Sequence, residues 1–131
     1  MRLTAMALMI LLTAHVAFAQ PMVAVQEVAS IAGKWKGPGG PGALGSKPSV
    51  IVEQTNNLDG TYEAVITLSS GQRVPSKGTM KAQPDGTVAY EGQATTGTWR
   101  LYVVDGQRVI RAEAKNKTTG AATWAELTEI K

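Results

Sequence analysis

Few residues of this sequence can do covalent chemistry. It has no cysteine, and its one histidine, His15, lies near the start. Beyond that point no thiol nucleophile, imidazole base or usual nitrogen- or sulfur-ligated metal site can be assembled, so neither a metal nor another cofactor is expected. Carboxylate chemistry remains, because two acids flanking a glycosidic bond suffice for its hydrolysis. Glu53, Glu63 and Glu91 fall opposite Val65, Thr55 and Thr79 in the strand pairing developed below, which scatters them. The chain is therefore expected not to be an enzyme. Two other groups suit binding. Tyr62, Tyr90 and Trp99, with Met80, would give a small apolar ligand its walls. Arg100 and Arg111, directly opposed across a hairpin, form a like-charge pair that needs an anion. Glu113 or Glu126 can supply one internally, and an acidic glycan, a phosphate or a partner carboxylate can supply one from outside.

The first residues address compartment. Arg2 precedes the apolar run Met6-Ala7-Leu8-Met9-Ile10-Leu11-Leu12, and the small-x-small triplet Ala17-Phe18-Ala19 follows at cleavage distance. This is a signal-peptide pattern, so residues 1–19 are expected to be removed near Ala19 and 20–131 to form one domain, periplasmic or secreted, with a Gram-negative bacterial envelope suiting the composition. The run is short of the about 20 residues a spanning helix needs, and no second candidate follows, so the mature chain is not expected to span a membrane. Without disulfides the fold must rely on its core and its hydrogen-bonded ladders. Thirteen Lys and Arg against ten Asp and Glu give a net charge of +3, too mild to imply nucleic acid. The densest basic spot, Lys115-Asn116-Lys117, reads as a solvated loop.

The elements that must position these residues are strands. Asp105-Gly106 suits a two-residue type I′ hairpin, which sets Val104 opposite Gln107. Counting back pairs Leu101 with Ile110 and Trp99 with Ala112 on one face, and Tyr102 with Val109 and Arg100 with Arg111 on the other. Pro84-Asp85-Gly86 reads as a three-residue loop with a glycine bulge, pairing Ala82 with Val88, Met80 with Tyr90 and Gly78 with Gly92. Leu58-Asp59-Gly60 has the same form and pairs Val52 with Ile66, Val50 with Leu68 and Gln54 with Ala64. A one-residue slip would exchange the two faces, so three separately counted registers with apolar inner sets support one another.

Further strands are expected around Gly33-Lys34-Trp35-Lys36, at Gln72 to Val74 and from Ala121 to Ile130. The last places Thr123, Ala125 and Leu127 inward, Glu126 near Arg111 and Trp124 on the exposed face. The fold is then all-β, an antiparallel up-and-down barrel of about eight strands, with at most a short helix over Val23 to Ala32 before it. Gly37-Pro38-Gly39-Gly40-Pro41-Gly42-Ala43-Leu44-Gly45-Ser46 is expected as a surface loop joining the first two strands, or as a lid. Outward charges at Glu53, Glu63, Lys81, Glu91, Arg100 and Arg111 argue against a lipid-facing barrel. The small inner residues Ala64, Gly78, Ala82, Gly92, Ala112 and Ala114 allow either a cavity or a flattened barrel whose halves pack together.

Ala32-Gly33-Lys34-Trp35 resembles the Gly-x-Trp start of the lipocalins and related calycin barrels. The resemblance implies that Gly33 and Trp35 are structural and that Trp35 plugs one barrel end against a basic side chain, with Arg100, Arg108 and Arg111 as the choices. A second likeness, to avidin and streptavidin, runs through Gly33-x-Trp35, Gly45-Ser46 and Gly60-Thr61-Tyr62-Glu63-Ala64-Val65. It implies ligand contacts at Ser46 and Tyr62. The sequence departs from that family at Gly37, where an asparagine ligand stands, in the long loop before Ser46, and in lacking tryptophan-rich later strands and a terminal aspartate.

These readings converge on an exported, non-enzymatic binding protein holding a small, mainly apolar ligand near Tyr62, Tyr90, Trp99, Met80 and Ser46. The alternative is an envelope interaction module that uses Arg100 and Arg111 to bind a protein or an anionic polymer, with biotin-type binding behind both.

Overall fold

The computed structural model describes residues 20–131; the leader expected at 1–19, with His15, lies outside the described residues. Eight strands follow in order: β1 Gly33–Pro41, β2 Val50–Asn56, β3 Thr61–Leu68, β4 Arg73–Ala82, β5 Val88–Gly92, β6 Thr95–Val104, β7 Gln107–Asn116 and β8 Ala122–Ile130. Each is antiparallel to the next and β8 returns to β1, so the sheet closes into a barrel.

The three Asp-Gly turns set the registers as their residue types require. Asp105 and Gly106 have φ of 51° and 78°, the two left-handed positions of a type I′ turn, and the hairpin pairs Trp99 with Ala112, Arg100 with Arg111 and Leu101 with Ile110. Met80 faces Tyr90 and Gly78 faces Gly92, while Val52 faces Ile66 and Gln54 faces Ala64. The Asp59 and Asp85 carboxylates each accept the backbone N–H and the hydroxyl of the threonine two residues on, Thr61 and Thr87. These local bonds hold the turns without help from the core. In β8, Ala125 pairs with Ala112, Leu127 with Ile110 and Glu126 with Arg111, the register read from the sequence.

Four expectations need correction. The helix over Val23 to Ala32 shrinks to one 3-10 turn at Val28–Ile31, because the Val23 and Val25 N–H groups donate to Leu101 O and Gly86 O across the barrel end rather than into a helix. The Gly/Pro run is strand rather than loop as far as Pro41, since β1 is paired on both sides; its ladder to β8 is interrupted at Gly37 and Pro38, where proline has no N–H to donate. The strand expected at Gln72 to Val74 is the first part of β4. Pro75 is accommodated there because this part of β4 has β3 on one side and no β5 partner on the other. Trp124 points outward yet is only 8% exposed.

The two barrel ends differ. Residues 23–31 cross the end formed by the Asp-Gly turns, and Val25, Ile31, Trp35, Val88, Ile110 and Leu127 are fully buried. At the other end the inward residues Val50, Ile66, Leu68, Ser76, Thr123 and Ala125 are only half-buried, and Val74 is 37% exposed. Inward glycines mark the corners between strands. A Cβ on Gly37, Gly78 or Gly97 would stand 1.8, 2.1 or 2.3 Å from the carbonyl oxygen of Glu126, Glu91 or Glu113. Only residues without a side chain let neighbouring strands approach this closely.

Candidate functional site

Tyr62 on β3, Tyr90 on β5 and Trp99 on β6 form one aromatic layer across the interior. Tyr90 stacks on Trp99 at 4.7 Å between ring centroids, and Tyr62 meets them edge-on at 6.0 and 5.4 Å. Met80, buried, belongs to the same cluster. The glycines make the layer fit: the Tyr62 hydroxyl lies over the cross-strand pair Gly78 and Gly92, and the Tyr90 ring edge covers Gly97, its own cross-strand neighbour. Tyr62 and Trp99 are buried, whereas Tyr90 is half-buried. Burial pushes the Tyr62 phenol above its ordinary pKa; burial pushes Tyr90 further, aided by Tyr62 beside it. Both stay protonated at neutral pH and can act as hydrogen-bonding groups.

Ser46 is not brought to this layer. It lies half-buried in the β1–β2 connection, where its N–H donates to Ala43 O. Tyr62 follows directly after the β2–β3 turn, at the opposite end of the strands.

Trp35 is fully buried at the closed end, and its indole N–H donates to Ile31 O at 3.0 Å. Of the three candidate basic partners it is Arg108 that lies over the ring, 5.4 Å from its centroid. Arg108 also donates to Ser30 O at 2.7 Å and to both carboxylate oxygens of Glu129. This two-point contact raises the guanidinium and lowers the carboxyl relative to their usual pKa values. Period two would have singled out Arg108, since it lies two residues before the inward Ile110.

Arg100 and Arg111 do oppose each other, and each has a carboxylate on the neighbouring strand. Arg100 is 3.9 Å from Glu113, and Arg111 is 3.1 Å from Glu126 with Tyr102 beneath its guanidinium at 4.7 Å. The like-charge conflict is thus relieved within the chain.

The outer wall holds a feature not legible in the turn counting. A groove of about 720 Å³ crosses β1 to β4, and Glu53 and Glu63, on adjacent strands, both line it with Lys34 and Lys77. Lys34, Thr55, Glu63 and Lys77 form one cross-strand row, in which the directly opposed Glu63 and Lys77 have opposite charge. Such a row describes a solvated charged face. Among the described residues no group of three His, Cys, Asp or Glu side chains could hold a metal, and no helix is long and apolar enough to cross a membrane.

Fold and site together define a closed, eight-stranded antiparallel β-barrel with an aromatic cluster in its core, one end covered by residues 23–31 and half-buried inward residues at the other. No protein-family model, no curated protein and no solved structure matches the chain.

Proposed function

We propose that the chain is an exported, non-enzymatic binding protein of lipocalin-like architecture, which takes a small, mainly apolar ligand at the open end of its barrel. The observation that carries this reading is the grading of burial along the axis. Inward side chains near the Asp-Gly turns are sealed under residues 23–31, while Val50, Ile66, Leu68 and Val74 keep apolar surface in contact with water above the aromatic layer. Leaving such surface wet costs about 25 cal/mol per Å², which a ligand seated there recovers. The half-buried Tyr90 supplies the aromatic floor and a phenol that remains a donor.

The lipocalin likeness is supported by Gly33-x-Trp35 with Arg108 stacked on the tryptophan, and export by the residue pattern at 1–19. The non-enzymatic reading is supported by the lack of cysteine and of any histidine beyond His15. The surface-module alternative is less well supported, because Arg100 and Arg111 already have Glu113 and Glu126.

Native mass spectrometry of the protein purified from its own host, followed by denaturation, tests the proposal. A stoichiometric apolar molecule, lost in an Ile66→Glu, Val74→Glu variant that keeps its β-sheet circular dichroism, supports it. Retention of that molecule by the variant, or a bare wild-type chain that takes up no apolar probe in titration, refutes it. Arg100→Glu is expected to leave binding unchanged.

A further inference from the structure

We infer that the uncovered part of β4, residues 73–77, is the edge at which this barrel would pair with a second copy of itself, and that Arg73, Pro75 and Lys77 hold that pairing off and keep the protein monomeric. This concerns the rim of the sheet and is independent of what the interior binds.

The barrel is closed, but β5, at five residues, is too short for both of its neighbours. β6 runs on past it beyond Trp99, and β4 begins well before it, with pairing only from Gly78 onward. The first overhang is capped, since Val23 bridges Leu101 and its N–H donates to Leu101 O at 2.7 Å. The second is not. Among the described residues no segment pairs with 73–77 on the side away from β3, and Arg73, Val74, Pro75 and Lys77 are exposed. An uncovered edge of this kind is a template for another strand.

The ladder to β3 fixes which backbone groups stand at that edge. The Leu68 N–H donates to Gln72 O and the Met80 N–H to Gly60 O, so even-numbered residues of β4 bond to β3 and odd-numbered ones turn their groups away from it. The edge therefore presents the backbone of Arg73, Pro75 and Lys77. A second copy meeting it antiparallel, about a two-fold axis at residue 75, sets Pro75 opposite Pro75, and Arg73 of each copy opposite Lys77 of the other.

That arrangement is opposed at every pair. The central pair has no N–H and loses both of its bonds, and each flanking pair brings two cations face to face. Sliding the register by two residues puts Pro75 opposite Arg73 or Lys77 and still loses two bonds. Within the barrel Arg73 faces the uncharged Thr67 and makes no ion pair among the described residues, so its charge is left to act at the edge. Proline and outward cations are the residue types that keep an exposed edge from pairing, and here they occupy the three positions whose backbone groups are free.

Sedimentation equilibrium tests this on the purified protein, comparing wild type with Pro75→Thr and with R73E/P75T, in which the central N–H groups return and each flanking pair becomes opposite in charge. Two restored bonds at a factor of about five each, and two charge pairs at a factor of a few each, make the double variant pair at least about a hundredfold more tightly than wild type. Wild type is expected to be monomeric up to about 500 μM, and the double variant to form dimers within that range. In about 0.5 M salt the double variant should fall back toward Pro75→Thr, because exposed charges are then screened within a few ångströms. Amide hydrogen exchange at residues 73–77 should slow in the dimer. A wild type that dimerises in this range overturns the inference, as does a double variant that keeps the wild-type circular dichroism and stays monomeric, or one that dimerises with exchange at 73–77 unchanged. Should the double variant lose its circular dichroism, Pro75→Thr alone decides by the same criteria.

Discussion

Replacing Arg108 by alanine perturbs the sealed end at its most connected side chain. Three contacts disappear together: the two-point bond to Glu129, the stacking over Trp35 and the bond to Ser30 O. The Arg108 and Glu129 side chains are 31% and 15% exposed, so their pairing falls between a surface ion pair, worth up to about 1 kcal/mol, and a buried one, whose disruption costs about 3–5 kcal/mol. About 2 kcal/mol is a reasonable middle. The cation–π contact adds about 0.5–1 kcal/mol. Since the contacts share one side chain they do not add fully, and the expected loss is about 2–3 kcal/mol, equivalent to a fall in Tm of roughly 10 °C for a domain of this size. Urea unfolding followed by circular dichroism, in a double-mutant cycle with Glu129→Gln, measures both the loss and the coupling. The coupling should be about 1–2 kcal/mol. A single-variant loss under about 0.5 kcal/mol, or a coupling near zero, refutes this account of the plug.

The same pair sets a pH dependence. Arg108 lowers the folded-state pKa of Glu129, so its contribution is fully present above the unfolded glutamate value and is lost as pH falls through the lower, folded value; the wild-type stability curve should drop there more steeply than that of Glu129→Gln. Gly37→Ala should prevent cooperative folding, because its Cβ would overlap the Glu126 carbonyl at 1.8 Å and part the β1–β8 seam; soluble expression and a sharp thermal transition would contradict this. Trp124→Phe removes the indole N–H that is buried with no hydrogen-bond partner among the described residues, and denaturant unfolding should show a neutral change or a gain of up to about 1 kcal/mol. Asp85→Ala should cost about 1 kcal/mol by freeing the Thr87 N–H and hydroxyl, and an unchanged midpoint would show that Gly86 alone sustains the turn.

Much of the barrel was legible because its turns are written in local chemistry. Asp59-Gly60, Asp85-Gly86 and Asp105-Gly106 each demand particular backbone angles, and a side-chain period of two carries the register outward from each turn without any knowledge of distant strands. This is why Trp99, Tyr90, Tyr62 and Met80 could be assigned to the inner face, and why the opposition of Arg100 and Arg111 was foreseeable. What a period of two cannot express is how far the sheet bends. Whether inward glycines open a cavity or close a corner depends on carbonyls from neighbouring strands, Glu126, Glu91 and Glu113, which approach only once the barrel has closed.

The remaining differences have the same physical origin. Val23 to Ala32 has a local pattern that permits a helix, but the barrel end offers carbonyls at Gly86 and Leu101 that compete for its N–H groups. Gly37 to Pro41 has the composition of a loop, yet pairing on both sides makes it a strand. Trp124 obeys the alternation that turns it outward and is buried nonetheless. Residue types and spacing determined the turns, the registers and the inner and outer faces, because those are set within a hairpin. Tertiary structure alone decided which end is sealed and where apolar surface stays wet, because those depend on backbones distant in the chain converging at a closed barrel's two ends.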